Sequence, residues 1–140
     1  MSEVVDSRHK VRNGRIVTTA GIARVNGQYF LGRRKPGGAQ GDRWEFPGGK
    51  CHRDETDQEC LVREFQEELG VDVEVHSVLG QVPFQHKGNP YVLVAYEIVL
   101  QDTPDTLFEH TEIGWYTVTE MLELDLADSD RKLVEALLKY

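Results

Sequence analysis

The feature of this sequence that most constrains the fold is the segment TDQECLVREFQEELG, residues 56–70, which predicts a helix with both ends marked. Thr56 and Glu59 have the spacing of a capping box, in which two side chains satisfy the backbone N–H groups at a helix start. Gly70 favours termination, because glycine readily takes the left-handed conformation that follows a helix. One face of the segment is apolar and carries Leu61, Val62, Phe65 and Leu69. The pattern therefore predicts a helix over residues 56–69 that packs against a core.

Strand patterns lie on both sides of this helix. The segments RIVTTAGIARV and QYFLGRR, residues 15–25 and 28–34, flank the pair Asn26-Gly27, which predicts a tight hairpin turn. Two further strands are predicted after the helix, at residues 71–82 and 91–100. The second of these is apolar and rich in β-branched residues, which is typical of a central strand.

The remaining segments complete an α+β pattern. Residues 35–55 are rich in glycine, proline and charge, and predict a long loop. Residues 114–121, GWYTVTEM, predict a short strand leading into a turn. Residues 128–140, DSDRKLVEALLKY, predict a closing amphipathic helix. Its inward face carries Leu133, Val134, Leu137 and Leu138. We expect a mixed β-sheet between helices.

Length and charge limit the classes of function. The 140 residues, without a repeat or a linker, predict a single domain over residues 1–140. A formal net charge of −8 argues against a stable nucleic-acid complex, which needs clustered Lys and Arg. The N-terminus lacks the apolar stretch of a signal peptide, and the longest apolar run is too short to span a bilayer. We therefore expect a cytoplasmic protein without a membrane partner, in which Cys51 and Cys60 are free thiols.

Three carboxylates crowd one side of the predicted helix. At 100° per residue, Glu64, Glu67 and Glu68 fall within an arc of about 100° beside the apolar face. One interpretation is a solvated acidic face. Such faces usually intersperse Lys or Arg, however, and here only Arg63 offsets the repulsion. A divalent cation that prefers hard oxygen ligands, such as Mg²⁺ or Mn²⁺, would remove this repulsion by binding the carboxylates.

The spacing resembles a known family. Residues 49–71, GKCHRDETDQECLVREFQEELGV, match the Nudix box, G-x5-E-x7-R-E-U-x-E-E-x-G-U with U apolar. The fixed positions are Gly49, Glu55, Arg63, Glu64, Glu67, Glu68 and Gly70. Phe65 and Val71 fill the apolar positions. RWEFPGGK before the box and EHTEIGW after it resemble the MutT-like branch.

The resemblance implies a Nudix α/β/α sandwich and assigns roles to the matching residues. It implies that Mg²⁺ or Mn²⁺ is held by Glu64, Glu67, Glu68, Glu109 and the carbonyl of Gly48. It implies that Glu55 and Arg63 orient the helix carboxylates. For the general base, Glu109, Glu112 and Glu64 remain alternatives.

The implied reaction is attack of a metal-activated water on a phosphorus atom of a nucleotide. Arg34 resembles a phosphate-binding arginine, with Lys50 as a helper, although Arg33 or Arg34 would also suit an exposed strand end. Near the base we expect Phe46, with Trp44 and Phe46 packing to fix the loop. Phe84 suits either base stacking or the core.

Two further sets of residues have more than one interpretation. Asp130 resembles a base-contacting residue, but Asp130 or Asp128 would also suit a helix cap. The histidines show no paired metal spacing, so a surface or hydrogen-bonded structural role is favoured over that of a metal ligand for His52, His76, His86 and His110.

The predicted substrate is a nucleoside or deoxynucleoside triphosphate, including a modified or oxidised one, split into the monophosphate and pyrophosphate. The alternatives are a Nudix hydrolase of a nucleotide sugar, of ADP-ribose or of 5′-triphosphorylated RNA. A non-catalytic nucleotide sensor is a remoter alternative, because such proteins usually lose box carboxylates. Either a monomer or a homodimer fits the sequence.

Overall fold

Nine strands and three helices form the regular structure of residues 7–38 and 40–138, which are the residues that the computed structural model describes. In chain order they are β1 (Val11–Arg12), β2 (Arg15–Ile22), β3 (Arg24–Val25), β4 (Gln28–Arg34), β5 (Trp44–Glu45), β6 (Gly48–Lys50), α1 (Asp57–Leu69), β7 (Val73–His86), β8 (Asn89–Leu100), β9 (His110–Tyr116), α2 (Val118–Glu123) and α3 (Asp128–Leu137). None of these helices has the length and apolar character needed to traverse a lipid bilayer.

The strands form two sheets. The larger sheet has the order β1-β2-β8-β7, with β6 paired to β2, and it is mixed because β2 and β8 run parallel while the other pairs are antiparallel. The smaller sheet has the order β3-β4-β5, with β9 paired to β4. As predicted, residues 91–100 lie in a central strand, β8, between β2 and β7.

Helices cover both faces of the larger sheet. Along β8, Val92 and Val94 belong to the core cluster of α1, whereas Leu93 and Ala95 belong to that of α3. Successive side chains of a strand point to opposite faces, so both faces of β8 are buried. This explains the continuous apolar run in the sequence. The α+β class, with a mixed sheet between helices, is confirmed.

Helix α1 has the predicted ends. Thr56 and Glu59 form the capping box, and Gly70 ends the helix in the left-handed conformation. Its apolar face buries Leu61, Phe65 and Leu69. Val62 is exposed, so its prediction as part of the inward face was wrong.

The predicted first hairpin is correct at its turn and wrong in its strands. Asn26 and Gly27 both have positive φ, as the tight turn requires, and they join β3 to β4. The first predicted strand, residues 15–25, is interrupted at Ala23: β2 enters the larger sheet and β3 the smaller one. One continuous apolar segment therefore serves both sheets.

Residues 35–55 do not form a single long loop. They contain β5, which pairs with β4, and β6, which pairs with β2 and sets Gly48 opposite Ala20. The prediction was wrong here because Gly48–Lys50 has little intrinsic strand preference and is held as a strand by its partner β2.

The C-terminal part also differs from the prediction. Thr117 and Glu120 form a second capping box, and the predicted turn is the short helix α2. Helix α3 buries Leu133 and Val134, as predicted. The predicted extension of α3 to Tyr140 reaches residues 139–140, which lie outside the described residues, as do residues 1–6 of the N-terminus.

A buried ion cluster fixes the start of α1. Asp57 is buried and accepts hydrogen bonds from Lys10 (2.9 Å), Arg12 (2.9 and 3.1 Å) and the Tyr96 hydroxyl (2.8 Å). Burial acts to raise the pKa of Asp57, but the hydrogen bonds from Arg12, Lys10 and Tyr96 outweigh it and hold this pKa below its usual value. Strand β1 and central strand β8 thereby position the helix that carries the carboxylates. Nearby, Cys51 and Cys60 are buried free thiols, as predicted.

Candidate active site and metal centre

Arg63 connects the carboxylates of α1 to the loop before the helix. Its Nε and Nη2 donate to the two oxygens of Glu55 at 2.6 and 2.9 Å. Its Nη1 donates to Glu64 at 3.0 Å and to Glu67 at 2.9 Å, and Nη2 also donates to the carbonyl of Lys50 at 3.0 Å. The hydrogen bonds from Arg63 lower the pKa of Glu55. One guanidinium thus holds three carboxylates in fixed positions.

Glu64 and Glu68 lie deeper than Glu67. Burial raises the pKa of Glu64 and raises that of Glu68 further, because Glu68 also faces the charges of Glu45 and Glu64. The Glu64 carboxylate packs against the backbone of Gly49, where an added Cβ would lie 2.6 Å from the carboxyl carbon. A side chain at that position of the box would force the Glu64 carboxylate to move. Glu67 is more than half exposed.

The arrangement fits a bound cation. Both carboxylate oxygens of Glu68 are buried and have no hydrogen-bond partner among the described residues. Ionised carboxylates only accept hydrogen bonds, so Glu64 and Glu68 cannot satisfy each other without a proton or a cation between them. A divalent ion with oxygen ligands would supply the missing partner.

Glu109 and Glu112 lie on the strand side of this centre. The backbone N–H of Phe108 donates to the carbonyl of Glu68 at 3.0 Å, which anchors the chain before β9 to the end of α1. Glu109 follows directly, with its side chain exposed. Glu112 is exposed and accepts a hydrogen bond from Arg33 at 3.0 Å. The structure therefore brings Glu109, rather than Glu112, next to a residue in contact with α1.

Two residues of the site were missed from the sequence. His110 has a fully buried side chain whose Nε2 lies 3.0 Å from Glu45 Oε2 and 3.7 Å from Glu68 Oε1. Glu45 in turn accepts from Arg34 at 3.3 Å. His110 is hydrogen-bonded, as one of its two interpretations predicted, but the sequence did not indicate that its partner is Glu45. Its partner Glu45 lies 65 positions earlier in the sequence. The only sequence signal for Glu45 was its place in the WEFPGGK segment.

A cleft of about 740 Å³ opens beside the box. Like the predicted metal ligand Gly48, all the residues predicted to bind substrate line this cleft: Arg34, Phe46, Lys50, Phe84 and Asp130. Arg34 is partly buried, and its charge interactions with Glu45 raise its pKa. Arg33 is absent from the cleft lining. Phe84 is partly buried and stacks on Tyr91 with ring centroids 5.1 Å apart, and Trp44 and Phe46 are buried in the core as expected.

Asp130 does not cap α3. The N-cap is Ala127, which makes no side-chain capping hydrogen bond, and Asp128 is exposed and pairs with Arg43 at 2.9 Å. The capping interpretation was wrong for both aspartates. Asp130 instead accepts from the backbone N–H of Phe46 at 2.8 Å. Burial and the charge of Glu45 raise its pKa to about 7, although the hydrogen bond from Phe46 acts to lower it.

Known proteins are similar to this chain in sequence. The family model of the NUDIX domain matches residues 14–137. The CTP pyrophosphohydrolase of Escherichia coli (strain K12) is 33% identical over 123 residues, which cover 86% of this chain and 90% of that protein. The 8-oxo-dGTP diphosphatase of Proteus vulgaris is 33% identical over 91 residues, which cover 65% of this chain and 63% of that protein.

A solved structure agrees with these relatives. The crystal structure of the MutT protein from Methanosarcina mazei Go1 is similar with a TM-score of 0.77 at 25% identity, covering 90% of this chain and 94% of that chain. The match to the family model includes all three helices and every strand except β1. The chain therefore belongs to the Nudix family of hydrolases.

Proposed function

We propose that this enzyme hydrolyses a nucleoside or deoxynucleoside triphosphate to the monophosphate and pyrophosphate, with Mg²⁺ or Mn²⁺ as the metal. The supporting observation is that one cleft extends from the box, at Gly48–Lys50, to the buried carboxylate of Asp130. A phosphate chain bound at one end and a base at the other would occupy it. The names of the E. coli and P. vulgaris relatives agree with a triphosphate substrate.

The residues at the box end fit a diphosphate platform. Divalent ions would be held by Glu64, Glu67, Glu68, Glu109 and the carbonyl of Gly48. When bound, such ions lower the pKa of the attacking water and neutralise charge on the phosphate oxygens. Arg63 and Glu55 keep the helix carboxylates in position through the hydrogen bonds between them.

The other residues of the cleft orient the substrate. Arg34 and Lys50 bind phosphate oxygens, and their positive charges offset the acidity of the chain. Glu109 accepts the proton of the attacking water, with Glu112 and Glu64 as the other candidates. At the far end, Phe46 and Phe84 contact the base, and Asp130 hydrogen-bonds to it.

The bond that breaks can be identified by isotope labelling. Water attack at the β-phosphorus forms a bond from the water oxygen to that phosphorus and releases the monophosphate. In ¹⁸O-water we expect one label in pyrophosphate and none in the monophosphate. Label appearing only in orthophosphate would overturn the proposal, because that is the product of an ordinary phosphatase.

A substrate panel tests the rest of the proposal. It comprises canonical, methylated and oxidised triphosphates together with a nucleotide sugar, ADP-ribose and 5′-triphosphorylated RNA, each assayed with Mg²⁺ and with Mn²⁺. We expect the highest kcat/KM for a triphosphate. Absence of hydrolysis of every compound, with binding retained, would favour a nucleotide sensor.

The setting of the enzyme is also proposed. We infer a single domain that acts in the cytoplasm on a small nucleotide, as a monomer or a homodimer, without a stable nucleic-acid complex. The net charge of −8 supports the last point, because it disfavours binding to a phosphate backbone. Light scattering on the purified full chain measures the oligomeric state.

A further inference from the structure

Three side chains from three separate elements lie close together at the buried end of the α1 carboxylates. They are Glu45 of β5, Glu68 of α1 and His110 of β9, here named the inner triad. One donor atom from each lies within 4.8 Å of the other two. His110 Nε2 is 3.0 Å from Glu45 Oε2 and 3.7 Å from Glu68 Oε1.

The inner triad is enclosed. The side chain of His110 has 0% exposure, that of Glu68 6% and that of Glu45 14%. Gly32 of β4 makes room for the imidazole, because an added Cβ there would lie 2.6 Å from His110 Cδ2. The ring is therefore held in one place by the sheet, with Nε2 directed at two carboxylates.

Two members of the inner triad also have buried polar atoms without a hydrogen-bond partner among the described residues: Glu68 and His110, the latter at Nδ1. Both oxygens of Glu68 are buried without a hydrogen-bond partner within residues 7–38 and 40–138. Two carboxylates that lie close together in an enclosed site repel, and a buried acceptor without a donor is costly. Glu45 lines the cleft, so an ion in the cleft has a path to the inner triad.

We propose that the inner triad is a binding site for a divalent transition-metal ion, with oxygen ligands from Glu45 and Glu68 and a nitrogen ligand from His110 Nε2. This inference rests on the proposed function only for the role of Glu68, which is shared with the metal centre of the box. It adds two ligands, Glu45 and His110, to that centre.

The distances suit one ion. Donors bound at about 2.1 Å to an octahedral ion lie about 3.0 Å apart when adjacent and about 4.2 Å apart when opposite. The two distances from His110 Nε2, 3.0 and 3.7 Å, fall in that range. Arg34 Nη1 lies 3.3 Å from both oxygens of Glu45, including the Oε2 that faces His110, and so fixes this carboxylate.

The donor set determines which metal is preferred. Imidazole nitrogen favours transition ions, whereas Mg²⁺ prefers oxygen ligands and keeps several waters that an enclosed site excludes. Mn²⁺ accepts both donor types and is paramagnetic, so it is the probe. We expect Mn²⁺ to bind the full chain at least tenfold more tightly than Mg²⁺.

The decisive measurement is the nitrogen coupling to bound Mn²⁺. Metal-free protein receives less than one equivalent of Mn²⁺, and electron spin-echo envelope modulation records any coupling to ¹⁴N. Wild type should show the coupling of a directly bound imidazole, and His110→Gln should lose it. His76→Gln is the matched control, because exposed His76 also lies 3.0 Å from a carboxylate, that of Glu74.

An elimination variant covers the case in which His110→Gln does not fold. The chain has five histidines, and changing His9, His52, His76 and His86 to Gln leaves only His110. This variant should keep the ¹⁴N coupling. Loss of coupling in it, with Mn²⁺ still bound, would overturn the proposal.

Mn²⁺ affinity alone does not distinguish a metal-ligating His110 from one that positions Glu68, so it is read together with the ¹⁴N coupling. His110→Gln should weaken Mn²⁺ binding at least tenfold and remove the preference over Mg²⁺, whereas His76→Gln should change neither. Weaker binding of Mn²⁺ to His110→Gln without any ¹⁴N coupling in wild type would show that His110 merely positions Glu68, and would overturn the site. Hydrolysis assayed with Mg²⁺ would then still test the proposed function independently.

Discussion

The guanidinium of Arg63 holds the carboxylate of Glu55 by two hydrogen bonds, at 2.6 and 2.9 Å, and so joins helix α1 to the loop before it. The same guanidinium contacts Glu64, Glu67 and the carbonyl of Lys50. Five hydrogen bonds from one planar group exceed what a lysine ammonium can donate from a single point. The relationship therefore makes a specific prediction about substitution.

Arg63→Lys should lower kcat/KM by about 10- to 100-fold, because the helix carboxylates keep a neighbouring charge but lose their fixed orientation. The apparent Mg²⁺ affinity should fall in parallel, measured from the metal dependence of the rate. Arg53→Lys is the matched control, since Arg53 is exposed on the same loop. Equal activity of Arg63→Lys and wild type at limiting Mg²⁺ would contradict the prediction.

Glu68→Gln should reduce turnover by about 10³-fold at saturating Mg²⁺ while the protein stays folded. The amide keeps the shape but removes the charge that a divalent ion needs. Because burial without a hydrogen-bond partner among the described residues disfavours the ionised form of Glu68 and raises its pKa, we expect the metal-free variant to be at least as stable as wild type.

Thermal unfolding with and without Mg²⁺ checks the second half of this prediction. Mg²⁺ should raise the Tm of wild type more than that of Glu68→Gln. Glu97→Gln, an exposed change on β8, is the control and should behave like wild type. A Glu68→Gln variant with near-normal kcat would contradict the assignment of Glu68 as a metal ligand.

Local sequence signals were enough for the elements whose ends are marked by their own residues. The capping box and Gly70 gave the limits of α1, and the Asn26-Gly27 pair gave the β3–β4 turn. The capping box of Thr117 and Glu120 carries the same kind of signal, so α2 could have been predicted and was overlooked. These signals work because the hydrogen bonds they describe are local.

Long-range contacts explain what the sequence did not reveal. Strand β6 depends on its pairing with β2, and His110 meets Glu45 only because β9 and β5 both pair with β4. The Asp130 contact with Phe46 joins residues 84 positions apart. The local sequence pattern suited a helix-capping role for Asp130 equally well and gave no sign that this carboxylate would be buried against Phe46. Burial of a polar group depends on the whole fold, so its pKa could not be predicted from neighbours in sequence.

Asp57→Asn should destabilise the protein by about 2–3 kcal/mol at neutral pH, because it removes the charge that Lys10 and Arg12 pair with in a buried site. The folded-state pKa of Asp57 is lowered, so its contribution is present above the unfolded pKa of about 3.9 and is lost as the pH falls through the folded value. The stability gap between wild type and variant should therefore narrow in acid.

Urea unfolding of both proteins between about pH 3 and pH 7 measures this gap. Asp54→Asn is the control, since Asp54 is exposed three residues earlier and should show no such gap. A gap that stays constant over this range would mean that the Asp57 carboxylate is not the source of the stabilisation.

We expect Asp130 to contact the base of the substrate both as a protonated and as an ionised carboxyl group. Its oxygens accept from the Phe46 N–H at 2.8 Å and the Ser129 hydroxyl at 3.1 Å, and it lines the cleft. With a pKa of about 7, it is protonated below neutral pH and ionised above. The ionised form only accepts hydrogen bonds and suits the amino group of cytosine, whereas the protonated form can also donate to a carbonyl oxygen.

The kcat/KM of CTP relative to that of 8-oxo-dGTP should therefore rise as the pH increases from about 6 to 8 in wild type. Asp130→Asn offers a donor and an acceptor at every pH, so its ratio should be flat over this range and should differ from wild type by about tenfold at the alkaline end, the worth of one polar contact. Asp130→Ser should lose discrimination among CTP, dCTP, methylated dCTP and 8-oxo-dGTP. Asp128→Asn is the matched control, because Asp128 is exposed on the same turn of α3 and should keep the pH dependence of wild type. If Asp130→Asn and Asp130→Ser both keep the wild-type ranking at each pH, Asp130 serves only to hold the Phe46 backbone, and another residue reads the base.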